Sequence, residues 1–391
     1  MRRRLAALLL VTGLLAASCG DDDGITETAI VGDTLTVYSS APLRGPYAEV
    51  ARDIVRAQKL ALKEAGGRAG DFSISFASLD GADPETGRWS PGRVASNARK
   101  AVQDRQTIAY LGELENGASA ISVPILNEGG ILQVSPRDTF GGLTARGGRG
   151  EPDKYYPSGQ RTFARVVPGD DQQATELVAA LRAGGVQRLF LADDRELGGT
   201  ALVDRLVRLT RGTRIEIVGR ARLTPDDDAE DGIEVPSGLA RDVREERADA
   251  FLYAGAYRPF ATEVLKAVHA ANPRVDLYAP DDLALAPDLP AEAGAAGRRL
   301  LLTGVRAPDD GAAQTFARSF QSEYGTGPHP QAVFGYRAMR IVLDAVRRAG
   351  PDAKSRRRVI REALAGAQSP QIRFGRFMVR ANRLVPIRSQ M

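Results

Sequence analysis

Two kinds of hydrophobic spacing alternate along the chain from Thr34 onward. Short apolar runs predict buried β-strands, whereas apolar residues three and four positions apart predict amphipathic α-helices. In the first half, strands are predicted at 35–39, 72–79, 108–112 and 131–135, with helices at 50–65, 94–103 and 118–127. A repeated strand and helix unit predicts a parallel sheet covered by helices on both faces, which is an α/β fold.

The same alternation begins again after a stretch rich in glycine and proline at 141–159. Strands are predicted at 188–192, 214–218, 250–253, 275–279 and 299–305, and helices at 174–182, 202–209 and 260–271. The last third adds helices at 316–324, 332–349 and 356–364 and two short strands, too few elements to enclose a third core. Two successive α/β halves therefore predict two lobes that face each other across a cleft.

The N-terminus has the features of an exported protein. Arginines at 2–4 precede an apolar run at 5–17 that is too short to span a bilayer. Small residues then lead into Cys19, and this group resembles a lipobox, in which the cysteine is lipidated and becomes the first residue of the mature chain. We predict a signal peptide at 1–18 and a polar, lipidated tether at 19–33. The alternative is an ordinary signal peptide cut nearby, which leaves Cys19 as a free thiol.

Composition and charge narrow the possible partners. The formal net charge is +4, and the arginines of the predicted signal peptide account for most of it, so the remaining chain is nearly neutral. Because basic residues alternate with acidic ones, we expect no nucleic acid partner. With its single cysteine the chain forms no internal disulfide, so the fold depends on buried apolar area, which a hydrophobic content of 43% can supply. A length of 391 residues predicts more than one domain.

The chain lacks the residue sets of common enzymes. Its two histidines are His269 and His329, it has no Gly-x-Ser-x-Gly motif, and its cysteine is at the predicted anchor. The usual pairings of nucleophile and base are therefore missing, and we predict no catalytic activity and no cofactor. The acidic segment 226–232 has some features of a calcium loop, but Asp231 stands where such a loop needs glycine. We expect a solvated loop there and no metal site.

Two segments of the first half carry a family resemblance. The segment 112–119 (GELENGAS), followed by 130–139 (GILQVSPRDT), resembles the first-lobe signature of the branched-chain amino-acid-binding proteins. These are type I periplasmic binding proteins that serve bacterial ABC importers. The segments 41–46, 163–168 and 249–257, and the chain from Tyr336 onward, agree with the family in order and spacing.

The resemblance implies a specific division of the chain. It implies two Rossmann-like lobes with parallel sheets, joined by a three-segment hinge that a ligand closes. Lobe one is expected at 34–165 plus 305–365, and lobe two at 166–304 plus 366–391. The implied protein is a monomeric, extracytoplasmic solute-binding lipoprotein that passes a small amino-acid-like or carboxylate ligand to the permease of an ABC importer. A ligand-sensing lipoprotein of the same fold, which signals through a membrane receptor, is the alternative.

In lobe one, the resemblance implies ligand-binding residues in two loops. Glu115, Asn116 and Gly117 stand where the family has small or hydroxyl residues that touch the ligand carboxylate, and backbone N–H groups at the start of the next helix could serve an anion. Arg137 and Thr139 stand where the family has a small residue and a hydroxyl. We expect Arg137 to grip a carboxylate, either in place of the donors lost at Asn116 or as part of the recognition of a second acidic group.

In lobe two, the resemblance points to further positions. Tyr257 aligns near an aromatic residue that packs on the ligand, Asp281 with the acid that meets the ammonium, and Leu197 with a position that is often tyrosine. The alternatives are that Tyr257 only packs, that Asp281 caps a turn, and that Arg137 pairs with Asp138 on the surface. Because several of these positions depart from the family pattern, we expect leucine, isoleucine and valine to be poor ligands.

Overall fold

Two separate β-sheets organise the chain in the computed structural model, which describes residues 29–223, 234–256, 259–286, 288–306, 310–367, 372–381 and 383–387. Several predicted features lie outside the described residues: the signal peptide, Cys19, most of the tether, the acidic segment 226–232 and Tyr257.

The first sheet has six strands within the described residues, in the order β2-β3-β1-β4-β5-β6. The strands are β1 (Thr34–Ala41), β2 (Arg68–Ala69), β3 (Phe72–Asp80), β4 (Thr107–Leu111), β5 (Leu132–Ser135) and β6 (Phe163–Arg165). All neighbours pair in parallel except β2 and β3. The connecting helices are α1 (Ala48–Glu64), α2 (Pro91–Gln103) and α3 (Ser119–Glu128).

The second sheet has seven strands within the described residues, in the order β13-β12-β11-β10-β9-β7-β8. The strands are β7 (Arg188–Asp193), β8 (Glu216–Arg222), β9 (Ala250–Ala254), β10 (Asp276–Ala279), β11 (Leu300–Arg306), β12 (Arg373–Arg380) and β13 (Arg383–Pro386). The pairs formed by β7 to β11 are parallel, and β12 and β13 add antiparallel strands at one edge. The helices are α4 (Asp170–Ala183), α5 (Leu197–Thr210), α6 (Glu234–Glu245), α7 (Pro259–Ala271), α8 (Leu289–Glu292) and α9 (Gly294–Gly297).

The chain then returns to the first sheet. It contributes α10 (Gly311–Tyr324), α11 (Ala332–Ala349) and α12 (Arg356–Gly366). In α11 the side chains of Phe334, Ala338 and Val342 recur every fourth residue and are fully buried in the core of the first sheet. Helices α1 and α11 pack closely, because a Cβ atom at Gly335 would lie 2.3 Å from the carbonyl oxygen of Ile54. We call the first sheet with these helices lobe one, and the second sheet with α4 to α9 lobe two.

The sequence-based α/β fold class with two mostly parallel sheets is confirmed. The chain passes between the lobes after β6, after β11 and after α12. The residue limits predicted for the lobes stay predictions, and β11 continues to Arg306 in the second sheet. The hydrophobic pattern did not predict α6, because its buried residues Leu239, Ala240 and Val243 are interspersed with charged residues. It also missed β6, which is only three residues long.

Candidate functional site

The candidate site lies where strand ends of the two lobes meet. Strands β1, β4 and β5 of lobe one and β7, β9 and β10 of lobe two all lead, at their carboxyl ends, into loops that line one cleft. Ligands of open α/β sheets bind at this edge, because the loops there converge and no regular hydrogen bonding fills the space.

The loop after β4 brings the lobes close together. Gly117 has a φ of +92°, which favours glycine, and a Cβ atom there would lie 3.1 Å from the Cβ of Leu197. Across the cleft, a Cβ atom at Gly198 would lie 2.8 Å from the Cβ of Asn116. Leu197 and Gly198 begin α5, so the start of this lobe-two helix packs directly on the lobe-one loop.

Asn116 joins both predicted lobe-one loops to lobe two. Its Oδ1 accepts hydrogen bonds of 2.7 Å from the backbone N–H and from the hydroxyl of Thr139. Its Nδ2 donates to Asp282 Oδ2 at 2.8 Å. The Thr139 hydroxyl, which is fully buried, is therefore already occupied by a neighbouring side chain.

Arg137 is the largest fully buried side chain of the described residues, with 2% exposure. Its Nη1 donates to the carbonyl oxygen of Leu114 at 2.9 Å and to Asp282 Oδ1 at 3.1 Å. Its Nη2 donates to Asp281 Oδ2 and to Asp282 Oδ1, both at 3.1 Å. The predicted arginine and the predicted acid thus meet each other from opposite lobes, and their contact with a ligand stays a prediction.

Asp281 has a second partner inside lobe two. Gln173 Nε2, on α4, donates to Asp281 Oδ1 at 2.6 Å and also to the hydroxyl of Thr303 at 3.1 Å. Burial, with the nearby charge of Asp282, raises the pKa of Asp281 to about 7, although Arg137 and the Gln173 bond act in the opposite direction.

The carboxylate of Asp138 lies at the N-terminal end of α3. It accepts hydrogen bonds from the backbone N–H groups of Gly117, Ser119 and Phe140, at 3.3, 3.0 and 2.9 Å. The N–H groups of Gly117 and Ser119 lie at the start of the helix, where a ligand anion was expected from the sequence. They are therefore already hydrogen-bonded inside the protein. Asp138 is also fully buried, so it does not pair with Arg137 on the surface.

Two further carboxyl groups are buried in the loop after β4. Glu113 accepts hydrogen bonds from the hydroxyls of Ser40, at 2.9 Å, and Tyr110, at 2.6 Å. Burial raises the pKa of Glu113 to about 8 despite these bonds. Glu115 is 9% exposed, and its pKa also rises to about 8, first through burial and then through the charge of Glu113.

A cavity lies between the lobes beside these groups. The space between its walls, counted together with the open solvent at its mouth, amounts to about 510 Å³. Its apolar wall comes mainly from lobe one, with one leucine from lobe two: Pro42, Tyr47, Val50, Ala51, Ile54, Trp89, Leu114 and Leu285. Its polar side chains are Glu115, Asn116, Arg137, Asp194, Glu196 and Asp282.

Leu197 lines a second, more open space of about 1130 Å³ at the mouth. An apolar wall with a few converging polar groups suits a small amphipathic ligand.

The structure adds site residues that the sequence reading had not selected. Asp282 makes more hydrogen bonds with lobe one than the predicted Asp281 does. Its position just after the end of a predicted strand could have identified it as a site residue. Trp89 is the single tryptophan of the chain, which could also have marked it. Gln173 lies within a helix, and nothing in the sequence pattern distinguishes it.

The arrangement offers binding groups and no catalytic pairing among the described residues. Nδ1 of His329 accepts a hydrogen bond from the N–H of Gln331 at 3.2 Å, and burial lowers the pKa of His329 to about 4. His269 lies on α7, away from the residues that line the cavity. In the described parts of the chain, no three His, Cys, Asp or Glu side chains are grouped as a metal site.

Comparison with known proteins identifies relatives of this fold. The family model described as periplasmic binding protein matches residues 36–385. The Leu/Ile/Val-binding protein BraC3 of Rhizobium johnstonii is 26% identical over 246 residues, which cover 61% of this chain and 59% of that relative. The chain thus matches under two thirds of the length of this curated relative.

Solved structures share the fold at low sequence identity. The leucine binding protein LivK of Thermotoga maritima has a TM-score of 0.72 and 19% identity, covering 90% of this chain and 98% of its own. A solute binding protein of R. palustris, solved in complex with benzoate, has a TM-score of 0.71 and 20% identity, covering 90% and 95%.

Replacement of Arg137 by alanine should destabilise the protein strongly. It would leave the carboxylates of Asp281 and Asp282 buried without their cation, which typically costs about 3–5 kcal/mol. Arg347 offers a matched control, because it is half-exposed and, among the described residues, its ion pair is with Asp344 on the surface of α11. Arg347→Ala should cost less than about 1 kcal/mol. Denaturant unfolding of both variants measures the difference, and equal losses would contradict the structural role of Arg137.

Replacement of Glu113 by glutamine should reduce the pH dependence of stability. The pKa of Glu113 rises from 4.5 to about 8 in the folded state, so the native chain keeps a proton that the unfolded chain releases. Its stabilising contribution is complete below the unfolded pKa and is lost as the pH rises through about 8. Between about pH 6 and about pH 8, Glu113→Gln should lose about 2 kcal/mol less unfolding free energy than the parent.

The control for this experiment is Glu128→Gln, at an exposed position on α3. Unfolding titrations at both pH values should give the parent and the Glu128 variant the same slope. A Glu113 variant with the parental slope would show that this carboxyl group does not hold its proton in the folded state.

Proposed function

The chain belongs to the periplasmic binding protein family, and from that premise we propose that it is an extracytoplasmic solute-binding protein. It captures a small amino-acid-like or carboxylate ligand between its two lobes and delivers it to the permease of an ABC importer. The protein acts as a monomer and uses no cofactor.

The observation that carries this proposal is a cavity with walls from both lobes. Val50 and Ile54 on α1 and Leu114 after β4 form an apolar cluster with Leu285 of lobe two. A ligand in this space touches both lobes only when they are together. Its binding therefore shifts the balance between separated and closed lobes by its difference in affinity for the two states, and a permease can recognise the closed form.

The relatives support a small amphipathic ligand. BraC3 is named for leucine, isoleucine and valine, LivK for leucine, and the R. palustris protein was solved with benzoate. Each of these ligands joins an apolar body to a compact polar head. The cavity has the same division, with apolar residues on α1 and polar groups on the loops after β4, β5 and β10.

The proposal also excludes catalytic turnover. In the described cleft, Asn116 and Arg137 are hydrogen-bonded to Asp282 and Asp281, and neither histidine lines the cavity. Among the described residues, the cleft therefore presents no paired nucleophile and base of the kind that would convert a bound solute.

The sequence before the folded part supports a lipid anchor. A signal peptide at 1–18 that ends in small residues before Cys19 would place a diacylglyceryl group on this cysteine, with the polar segment to residue 33 as a tether. Along the part of the chain that the structure describes, none of the helices has the length and apolar character needed to cross a membrane.

A thermal-shift screen tests the binding function. We expect at least one compound among amino acids, short amides, dicarboxylates and aromatic acids to raise the melting temperature, since a ligand at one hundred times its Kd adds about 2.7 kcal/mol. X-ray scattering should show a more compact particle with that compound. Ala256→Phe, which would fill the cavity that Ala256 lines, should abolish both effects. Ala295→Phe, at an exposed position on α9, should keep both. Repeated conversion of the compound into a product would contradict the proposal.

Cys19→Ala should prevent membrane anchoring. The variant should be released from the membrane fraction or remain unprocessed, because the thiol that receives the lipid is missing. Thr26→Ala, in the same tether, should fractionate like the parent. A processed Cys19 variant that stays with the membrane would show that the chain is not anchored through this residue.

A further inference from the structure

We propose that Glu115, and not Asp281, receives the donor end of the ligand, so that the ligand joins an ammonium, amidinium or amide N–H group to a small apolar body. This inference rests on the proposed function and narrows its ligand class. An amino-acid-like ligand meets the condition, and a simple carboxylate does not.

Asp281 is already committed to protein partners. It is 3% exposed, and its two oxygens accept hydrogen bonds from Arg137 at 3.1 Å and from Gln173 at 2.6 Å. It lines neither the cavity between the lobes nor the spaces beside it. The guanidinium of Arg137 thus takes the place at Asp281 that a cationic group of a ligand would need.

Glu115 has the opposite arrangement. It lines the cavity and is nine-tenths buried. Among the described residues, the hydrogen bond that acts on the pKa of its carboxyl group comes from its own backbone N–H. Arg137 is the cation that acts on its pKa, and the terminal nitrogens of Arg137 are directed to Leu114, Asp281 and Asp282. Glu115 is therefore a buried acceptor directed into an open space, with capacity for a donor from a ligand.

The charge balance of this cluster favours a donor over an acceptor. Glu115, Asp281 and Asp282 surround a single guanidinium, that of Arg137. Burial raises the pKa of Glu115 to about 8, which reflects the cost of ionising it without an adjacent counter-charge. A bound cation supplies this counter-charge, and an amide N–H supplies a hydrogen bond. A ligand carboxylate would instead bring a negative charge beside three carboxyl groups that share one guanidinium.

The remaining walls define the ligand body. Ala51 and Ile54 on α1, Leu114 and Leu285 form an apolar wall near Glu115, and Trp89 adds an aromatic surface toward the mouth. A flat or branched apolar group of a few carbons is expected in this space.

The test uses three probes that share a phenyl ring and differ in the head group. They are benzamidine, a cationic donor; benzamide, a neutral donor; and benzoate, an anionic acceptor. Calorimetry on the full chain should show the tightest binding for benzamidine and the weakest for benzoate. Glu115→Gln keeps the shape of the side chain and prevents it from ionising beside a bound cation, so it should weaken benzamidine binding by about thirtyfold or more.

Asp281→Asn is the matched variant from the other lobe. It should lower the melting temperature, because it weakens the partner of Arg137, while the preference for benzamidine over benzoate remains. Benzoate binding as tight as benzamidine binding, failure of all three probes to bind, or a Glu115 variant with the parental affinity for benzamidine would overturn the inference. Failure of the proposed function would differ, because no compound of the broader thermal-shift screen would then bind.

Discussion

The contact of Arg137 with Asp281 and Asp282 organises the cleft. Arg137 follows β5 in lobe one. Its guanidinium donates to a carbonyl oxygen of its own lobe and to two carboxylates at the end of β10. Each partner is at a strand end, so the two parallel sheets must face each other with their carboxyl edges for the contact to form. The bonds of Asn116 to Thr139 and Asp282 extend the same arrangement. Together they hold the loops that surround the cavity.

This arrangement has a consequence for the binding equilibrium. Buried ion pairs contribute little net stability compared with apolar contacts, but removing one partner destabilises the protein because it leaves a buried charge uncompensated. Separation of the lobes would return Arg137 and the two aspartates to water together, which avoids an unpaired buried charge. The contact is thus compatible with opening, whereas the apolar contact of Leu285 with Ile54 and Leu114 favours closure. A ligand adds to contacts that the lobes already make, so a modest difference in affinity is sufficient to shift the population.

The sequence predicted the fold more completely than the site. The fold follows from local periodicity: in α11 the fourth-residue spacing of Phe334, Ala338 and Val342 is visible without a structure. Periodicity fails where charged residues surround few apolar ones, as in α6. The site depends instead on how two lobes meet. Arg137 and Asp281 were selected because they follow predicted strands and align with ligand-contacting positions of the family that the chain resembles, but they are 144 positions apart. Their pairing depends on the relative placement of the lobes, which no local pattern contains. Gln173 meets Asp281 within lobe two, and that contact depends on the placement of α4 relative to the end of β10.

The pairing of Arg137 with Asp281 also changes which group of the cleft is available to a solute. A carboxyl group that is buried with a full set of donors has little to gain from a ligand, whereas one that is buried without them is held in an unfavourable state that a ligand can relieve. Asp281 is of the first kind and Glu115 of the second. Burial is the main cause of the raised pKa of Glu115, and the charge of Glu113 adds to it, so this carboxyl group retains a proton that a bound cation would displace. A donor placed beside it would relieve this unfavourable state, and the free energy so released would contribute directly to affinity.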